Sequence, residues 1–141
     1  MSVEVVPGVQ ITAAILCEEV RSELNGKSTL LGVYSGDLLV PELPANLRLG
    51  VYAEATASLA YKGPLHVRFL LNGEQIVLGN GTLNTEAGYI ALPVSGMIVG
   101  CNKPGIVSVE FSPDATLWKE VISRQLKIGT FKDGILISPS V

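Results

Sequence analysis

The sequence predicts an all-β domain of the sandwich type, with about eight antiparallel strands in two packed sheets. Three observations support this fold class. Apolar and polar residues alternate in several segments, turn sequences recur at intervals typical of β domains, and helical crossovers between strands are missing from the pattern. Greek-key connections are expected, as in immunoglobulin-like or C2-like sandwiches. The 141 residues match one domain, which we place at residues 1–141.

Alternation of apolar and polar residues with a period of two is the signal for a half-buried strand. Residues 89–99 are apolar almost throughout and predict a strand that is bent or bulged near Pro93 or Gly96. Ile76 and Leu78 predict a short strand after the sequence Asn72-Gly73. The segments with clear alternation are residues 47–56, 65–72 and 107–111.

Turn sequences separate these segments. Asn-Gly pairs favour a positive φ at both positions, as a tight type I′ hairpin requires. Asn25-Gly26 and Asn72-Gly73 have the apolar flanks expected of such hairpins. The other predicted turns lie at residues 41–44, 62–64, 80–81, 101–105, 112–114 and 133–134.

Two segments permit either a strand or a helix. Residues 13–24 carry apolar residues at helical spacing, but they also lead directly into the Asn25-Gly26 hairpin signal. Residues 117–128 have the same ambiguity. We interpret both as strands, and a helix at 117–128 would make the fold α+β with one helix. Residues 135–141 form either a loose tail or a closing edge strand.

Residues 17–44 carry a recognisable order of structural signals. Glu23 precedes the turn at 25–27, the run from Leu31 to Tyr34 follows it, and a proline-containing loop at 41–44 closes the segment. This order resembles the opening of a family of small uncharacterised bacterial and phage β-sandwich proteins, a domain of unknown function. The resemblance covers about a fifth of the chain. It implies a β-sandwich and a strand before the Asn25-Gly26 turn, and it implies no activity or functional residue.

The composition is apolar for a single domain. Hydrophobic residues make up 48% of the chain and charged residues 16%, where about 25% charged is usual. One core can bury a limited number of apolar side chains, so we expect part of the excess at a surface that binds partners. The alternative is a well-filled sandwich in which Ser, Thr and Asn replace charges. The ten basic residues are scattered and the net charge is -3, which argues against nucleic acid and a polybasic membrane contact.

The cysteines and the N-terminal sequence bear on the compartment. We expect Cys17 to be a buried free thiol and Cys101 a thiol in a loop, with a disulfide between them as the lesser alternative. The apolar stretch at residues 11–17 is short and has no basic residues before it, so we do not interpret it as a secretory signal. The expected location is the cytoplasm, or the virion if the protein comes from a phage.

The residues that could support catalysis do not form a known arrangement. His66 is the only histidine, and no Gly-x-Ser-x-Gly sequence exposes a serine. Glu18 and Glu19 are adjacent, so on a strand they point to opposite faces. Gly79 and Gly81 do not belong to a nucleotide-binding glycine motif. We therefore expect no enzyme, no cofactor and no metal site.

One group of polar residues is a candidate interaction surface. If strands 47–56 and 65–72 are antiparallel neighbours, their polar faces meet. The alternative is a solvated face with a cross-strand pair between Glu54 and Arg68. The residues of this surface are Arg48, Tyr52, Glu54, His66 and Arg68. The predicted function is protein interaction or structural assembly, with self-association, and the alternative is a monomeric module that binds a peptide or a carbohydrate.

Overall fold

Ten strands and one short 3₁₀ turn at Leu24–Gly26 form residues 2–130, the part of the chain that this computed structural model describes. The all-β prediction is confirmed, with ten strands where about eight were expected. The strands are β1 (Val3–Val6), β2 (Val9–Ser22), β3 (Ser28–Val33), β4 (Leu38–Val40), β5 (Ala45–Ala57), β6 (Tyr61–Leu71), β7 (Glu74–Thr85), β8 (Gly88–Cys101), β9 (Gly105–Ser112) and β10 (Lys119–Ile128).

The strands form two five-stranded sheets. The N-terminal sheet has the order β1-β2-β5-β8, and β3 also pairs with β2. The C-terminal sheet has the order β4-β10-β9-β6-β7. Every pair is antiparallel except β4 with β10, which is parallel, so the prediction of purely antiparallel pairing was wrong at this edge. A parallel pair needs a long connection, and most of the chain lies between these two strands.

Both ambiguous segments are strands, and residues 2–130 contain no α-helix. The α+β alternative was therefore wrong for this part of the chain. The apolar residues of β2 that recur at helical spacing do not all lie on one face of the strand. Leu16 and Val20 face the core, Cys17 is buried on the opposite side of the strand, and Leu24 is 89% exposed.

The Asn72-Gly73 hairpin forms as the predicted two-residue turn, whereas Asn25-Gly26 turns the chain within a longer loop that also includes Leu24. Asn25 and Gly26 have φ of 71° and 74°, and Asn72 and Gly73 have φ of 52° and 84°. The predicted turns at 62–64 and 80–81 were wrong, because the pairing of β6 with β7 runs straight through both. Residues 133–134 and 135–141 lie outside the described residues.

Pro64 shows why a strand could pass through a turn sequence. It pairs with Thr82 of β7, whereas the pairing of β6 with β9 ends at His66. Pro64 therefore sits where β6 has a neighbour on one side, and a missing amide hydrogen is tolerated at such a position.

One hydrophobic core joins the sheets. The apolar positions that alternate along β5, from Leu47 to Ala55, are all buried, as predicted. Phe69 and Phe111 of the C-terminal sheet are fully buried opposite them. Cys101 is also buried, at the end of β8, so the prediction of a loop thiol was wrong for this residue. Both cysteines are free.

Candidate functional site: the cleft between β7 and β8

The most distinctive concave feature is a cleft between the two long edge strands β7 and β8. These strands follow each other in the chain but belong to different sheets, so their edges face each other without pairing. The cleft has a volume of about 400 Å³, and every side chain that lines it is uncharged. Such a site suits an apolar group and offers no charge to an ionic ligand.

Two glycines of β7 line the cleft. Gly79 pairs with Val67 and Gly81 with Leu65, so both glycines occupy positions on β7 that face the interior. A Cβ atom at Gly81 would meet nothing nearer than the Leu65 carbonyl oxygen at 3.9 Å. A Cβ atom at Gly79 would touch the Met97 sulfur at 3.5 Å, an ordinary contact. The missing side chain at Gly81 therefore leaves space that the fold does not fill, whereas the space at Gly79 is occupied by Met97.

The opposite wall of the cleft comes from β8. Leu92, Val94 and Met97 line it and pack against the core, since their partners on β5 are buried. Ser95 adds an uncharged polar group to the lining. Asn80 and Thr82 also border the cleft, but alternation along β7 points their side chains to the outer face, where Asn80 contacts His66. The arrangement can hold an apolar side chain and can hydrogen-bond its backbone.

A β-bulge shapes β8 where it borders the cleft. Leu49 pairs with Met97 and Val51 with Val94, so two residues of β8, Ser95 and Gly96, lie opposite Gly50. The predicted irregularity near Gly96 is therefore confirmed. A Cβ atom at Gly96 would lie 2.1 Å from the backbone oxygen of Glu18, so the bulge approaches β2 in a way that requires glycine.

Glu19 holds this bulge in place. One carboxylate oxygen, Oε1, accepts hydrogen bonds from the amides of Gly96 at 2.7 Å and Val20 at 2.9 Å. The other oxygen, Oε2, forms an ion pair with the Arg48 guanidinium. The Gly96 amide, the Arg48 side chain and the Val20 amide together lower the pKa of Glu19 to about 2 from 4.5.

The predicted interaction residues of β5 lie on the outer face of the N-terminal sheet. Arg48 pairs with Ile98, and Tyr52 lies between Ile15 and Pro93. Glu54 is exposed further along the same face. This face also carries apolar side chains that are more than a third exposed, namely Ile15, Leu31, Val33, Tyr89 and Ile98.

The predicted residues of β6 lie on the outer face of the C-terminal sheet. The His66 ring nitrogen Nδ1 is 2.5 Å from the Asn80 side-chain oxygen. Arg68 pairs with Glu110, whose Oε1 is 2.6 Å from Nη2 and accepts a hydrogen bond from Nε at 2.8 Å. The Arg68 guanidinium also stacks over the Trp118 ring, 4.2 Å from its centre.

The structure therefore does not bring the five predicted residues onto one surface. β5 pairs with β2 and β8, whereas β6 pairs with β7 and β9. The premise that these two strands are neighbours was wrong, and so was the pair between Glu54 and Arg68. The alternation that marked each polar face was correct, but it contains no information on which strands pair.

The sequence did contain one signal for the cleft. Gly79 and Gly81 stand two residues apart in a segment where apolar residues flank them on the same face, at Val77 and Leu83. Glycine in a strand interior often marks a close approach or a gap. The signal was missed because the 80–81 pair was interpreted as a turn.

Within residues 2–130, no group of three or more His, Cys, Asp and Glu side chains could hold a metal ion. The same residues contain no helix that is long and apolar enough to cross a membrane. Comparison with models of known protein families and with curated proteins finds no match to this chain.

Proposed function

We propose that this chain is a non-enzymatic protein-interaction module that associates with copies of itself. The observation that carries the proposal is the uncharged cleft between two long, unpaired strand edges. His66 lies at the outer surface of the C-terminal sheet, where its ring nitrogen Nδ1 is 2.5 Å from the Asn80 side-chain oxygen.

The strand edges supply the physical reason for association. β7 has 12 residues and β8 has 14, and within residues 2–130 each pairs with one neighbour only. The free edge of each strand presents backbone N–H and C=O groups that an added strand can pair with. Edges of this length are protected in most β proteins, and a strand from a second copy provides that protection.

The outer face of the N-terminal sheet supports the same proposal. Ile98 is 60% exposed and Tyr89 is 94% exposed. Together with the other apolar side chains of this face they extend the apolar surface beside the β8 edge. Contact with a partner would remove this surface from water. Such burial stabilises a complex by about 25 cal/mol per Å² of apolar area.

Solution mass tests the proposal. Size-exclusion chromatography with light scattering, over a range of concentrations, is expected to show a multiple of the 14.9 kDa chain. Thr82→Lys places a charge at the β7 edge and is expected to shift the mass toward the monomer. The matched control Gln10→Lys adds the same charge to β2, which pairs on both sides, and is expected to leave the mass unchanged. A wild-type chain that stays monomeric at all concentrations overturns the proposal.

The second candidate is a monomeric module that binds a peptide or a carbohydrate in the same cleft. The apolar lining favours the peptide, because sugars are bound through many polar groups and exposed aromatic faces. Binding of an apolar peptide by a monomeric chain, abolished by Gly81→Leu, would support this candidate over self-association.

The cellular setting is part of the proposal. Cys17 and Cys101 are buried free thiols, which suits a reducing compartment such as the cytoplasm. The resemblance of residues 17–44 supports a bacterial or phage origin. A phage protein would be associated with the virion. Neither the cleft nor the proposed association calls for nucleic acid, a membrane, a metal or a cofactor.

A further inference from the structure

We infer that Asn25 is a site of spontaneous modification, at which the side-chain amide is lost and aspartate or isoaspartate forms. The chain contains three Asn-Gly sequences, at residues 25–26, 72–73 and 80–81. All three carry the residues that this reaction needs, and the fold leaves one of them free to react. The reaction is independent of the proposed self-association.

The reaction joins an asparagine side chain to the next backbone nitrogen. That nitrogen loses its proton to the solvent and forms a bond to the side-chain carbon Cγ. The bond between Cγ and the amide nitrogen breaks, and the nitrogen takes up a proton and leaves as ammonia. Water then opens the five-membered imide ring at either carbonyl, which gives aspartate or isoaspartate. A following glycine has no side chain to hinder the attack and lets the backbone turn freely.

Each Asn-Gly segment must open before the ring can close. Asn25 has φ of 71° and ψ of 23° in the folded chain. At this ψ, the Asn25 Cβ atom and the Gly26 nitrogen point in nearly opposite directions about the Cα–C bond, whereas the ring requires them on the same side. The rate of modification therefore depends on how easily the segment turns about this bond, and such local openings differ widely across a fold.

The loop between β2 and β3 offers the least resistance to this movement. Asn25 and Gly26 are exposed at its tip, beside Leu24, which is 89% exposed. A Cβ atom at Gly26 would meet nothing within 4 Å. The Glu23 amide donates a hydrogen bond to the Lys27 carbonyl oxygen at 2.7 Å. This bond closes the base of the loop, so the tip can turn while β2 and β3 stay paired.

Asn72 is held by the connection between β8 and β9. Its side-chain oxygen Oδ1 accepts a hydrogen bond from the Ile106 amide at 2.8 Å, and its Nδ2 donates to the Pro104 carbonyl oxygen at 3.2 Å. The Asn72 amide also donates to the Ile106 carbonyl oxygen at 2.8 Å. Both side-chain hydrogen bonds must break before Cγ can reach the Gly73 nitrogen, which slows the reaction at this site.

Asn80 is held by strand pairing. It pairs with His66 in the interior of β7, and the following Gly81 pairs with Leu65. The pairing with β6 continues along β7 on both sides of these residues. Turning the backbone at Asn80 would separate the two strands, which costs far more free energy than turning the tip of a loop.

Incubation of the full chain in mildly alkaline buffer, with and without urea, tests the inference, because alkaline pH favours loss of the backbone proton. Trypsin releases residues 22–27, which contain Asn25, and cleavage after Glu74 separates Asn72 from Asn80. Mass spectrometry then follows each site, since an amino group is replaced by a hydroxyl. Chromatography separates the isoaspartate product from the aspartate product.

In the native chain, conversion at Asn25 is expected to be at least about tenfold faster than at Asn72 or Asn80. In urea the three rates are expected to converge, because the sites share the same Asn-Gly pair once the fold is lost. Asn25→Gln is expected to remove the signal, since its longer side chain does not form the five-membered ring. Asn102→Gln is the matched control, because Asn102 is exposed but precedes a lysine, and conversion at Asn25 should be unchanged.

Three results overturn the inference. Native conversion at Asn72 or Asn80 that is as fast as at Asn25 shows that the fold does not select the site. Conversion of Asn25 in urea but not in the native chain shows that the loop is closed to the reaction. An undiminished signal in Asn25→Gln shows that another residue is modified. Each of these results leaves the proposed self-association untouched, because that proposal is tested by solution mass.

Discussion

The Glu19 carboxylate accepts a hydrogen bond from the Gly96 amide at 2.7 Å, and this contact ties β2 to the bulge of β8 across the intervening strand β5. Arg48 of β5 pairs with the second oxygen of the same carboxylate. One side chain therefore connects three strands at the border of the cleft. The position of the β8 wall depends on this connection, because Gly96 belongs to the cleft lining.

The ionisation of Glu19 is expected to make stability depend on pH. Its pKa is about 2 in the folded chain and 4.5 in an ordinary environment. A lowered pKa contributes stability that is fully present above pH 4.5 and is lost as the pH falls toward 2. Urea unfolding of the wild type and of Glu19→Gln should therefore differ most above pH 5 and converge near pH 2.

A carboxylate on the same outer face provides the control for that experiment. Glu54→Gln changes an exposed residue of β5. Its stability is expected to follow the wild-type curve at every pH in that range. A gap between the wild type and Glu19→Gln that is equally large at pH 2 and pH 6 would contradict the role assigned to the Glu19 charge.

The bulge should not tolerate a side chain at Gly96. A Cβ atom there would lie 2.1 Å from the Glu18 backbone oxygen, so Gly96→Ala must displace backbone. We expect a loss of about 1–3 kcal/mol in the free energy of unfolding. Gly100→Ala on the same strand meets its nearest neighbour, Asn46, at 3.5 Å and should cost less than about 0.5 kcal/mol. Equal urea unfolding midpoints for Gly96→Ala and Gly100→Ala would contradict the close approach of Gly96 to the Glu18 backbone oxygen.

Phe69 is expected to be among the most sensitive positions of the core. It is fully buried in β6, so Phe69→Ala removes a ring and leaves a cavity. The expected cost is about 3–5 kcal/mol. Leu24→Ala is the control, because Leu24 is 89% exposed and its loss should change stability by less than about 0.5 kcal/mol. Denaturant unfolding followed by circular dichroism measures both, and a Phe69→Ala variant as stable as the control would contradict the packing of the two sheets.

The two thiols should be unreactive in the folded chain. Burial raises the pKa of Cys17 and outweighs the lowering effect of a hydrogen bond to the Glu19 backbone, and the Glu19 and Glu18 charges raise this pKa further. Burial also raises the pKa of Cys101. The reactive thiolate is therefore scarce at pH 8, and both sulfurs are shielded from reagent. A colorimetric thiol reagent should react slowly with the native chain and quickly with two thiols per chain in urea. Rapid reaction of either thiol without denaturant would contradict the burial.

Several elements followed from local sequence. The alternation from Leu47 to Ala55 predicted β5 and its buried face, because side chains on a strand point alternately to opposite sides. Asn72-Gly73 predicted its hairpin, because both residues readily adopt a positive φ. The strand at 117–128 could also be predicted, although less directly, since Glu120 and Arg124 interrupt its pattern.

Strand pairing did not follow from local sequence. Arg48 and His66 belong to strands that are consecutive in the chain, yet they lie on opposite outer faces of the sandwich. Each strand has two edges that can pair with many partners, and the choice depends on how all apolar faces pack into one core. The candidate surface of five polar residues was wrong for this reason.

By itself the sequence determined the fold class, most of the strands and both Asn-Gly turns, because each depends on residues that are close in the chain. Only the tertiary structure decided that β7 and β8 face each other without pairing, and that Gly81 leaves open space in the cleft between them. The contact of Glu19 with Gly96 also belongs to this second group, since it joins residues 77 positions apart. Such features arise when distant segments pack together, and local periodicity does not encode them.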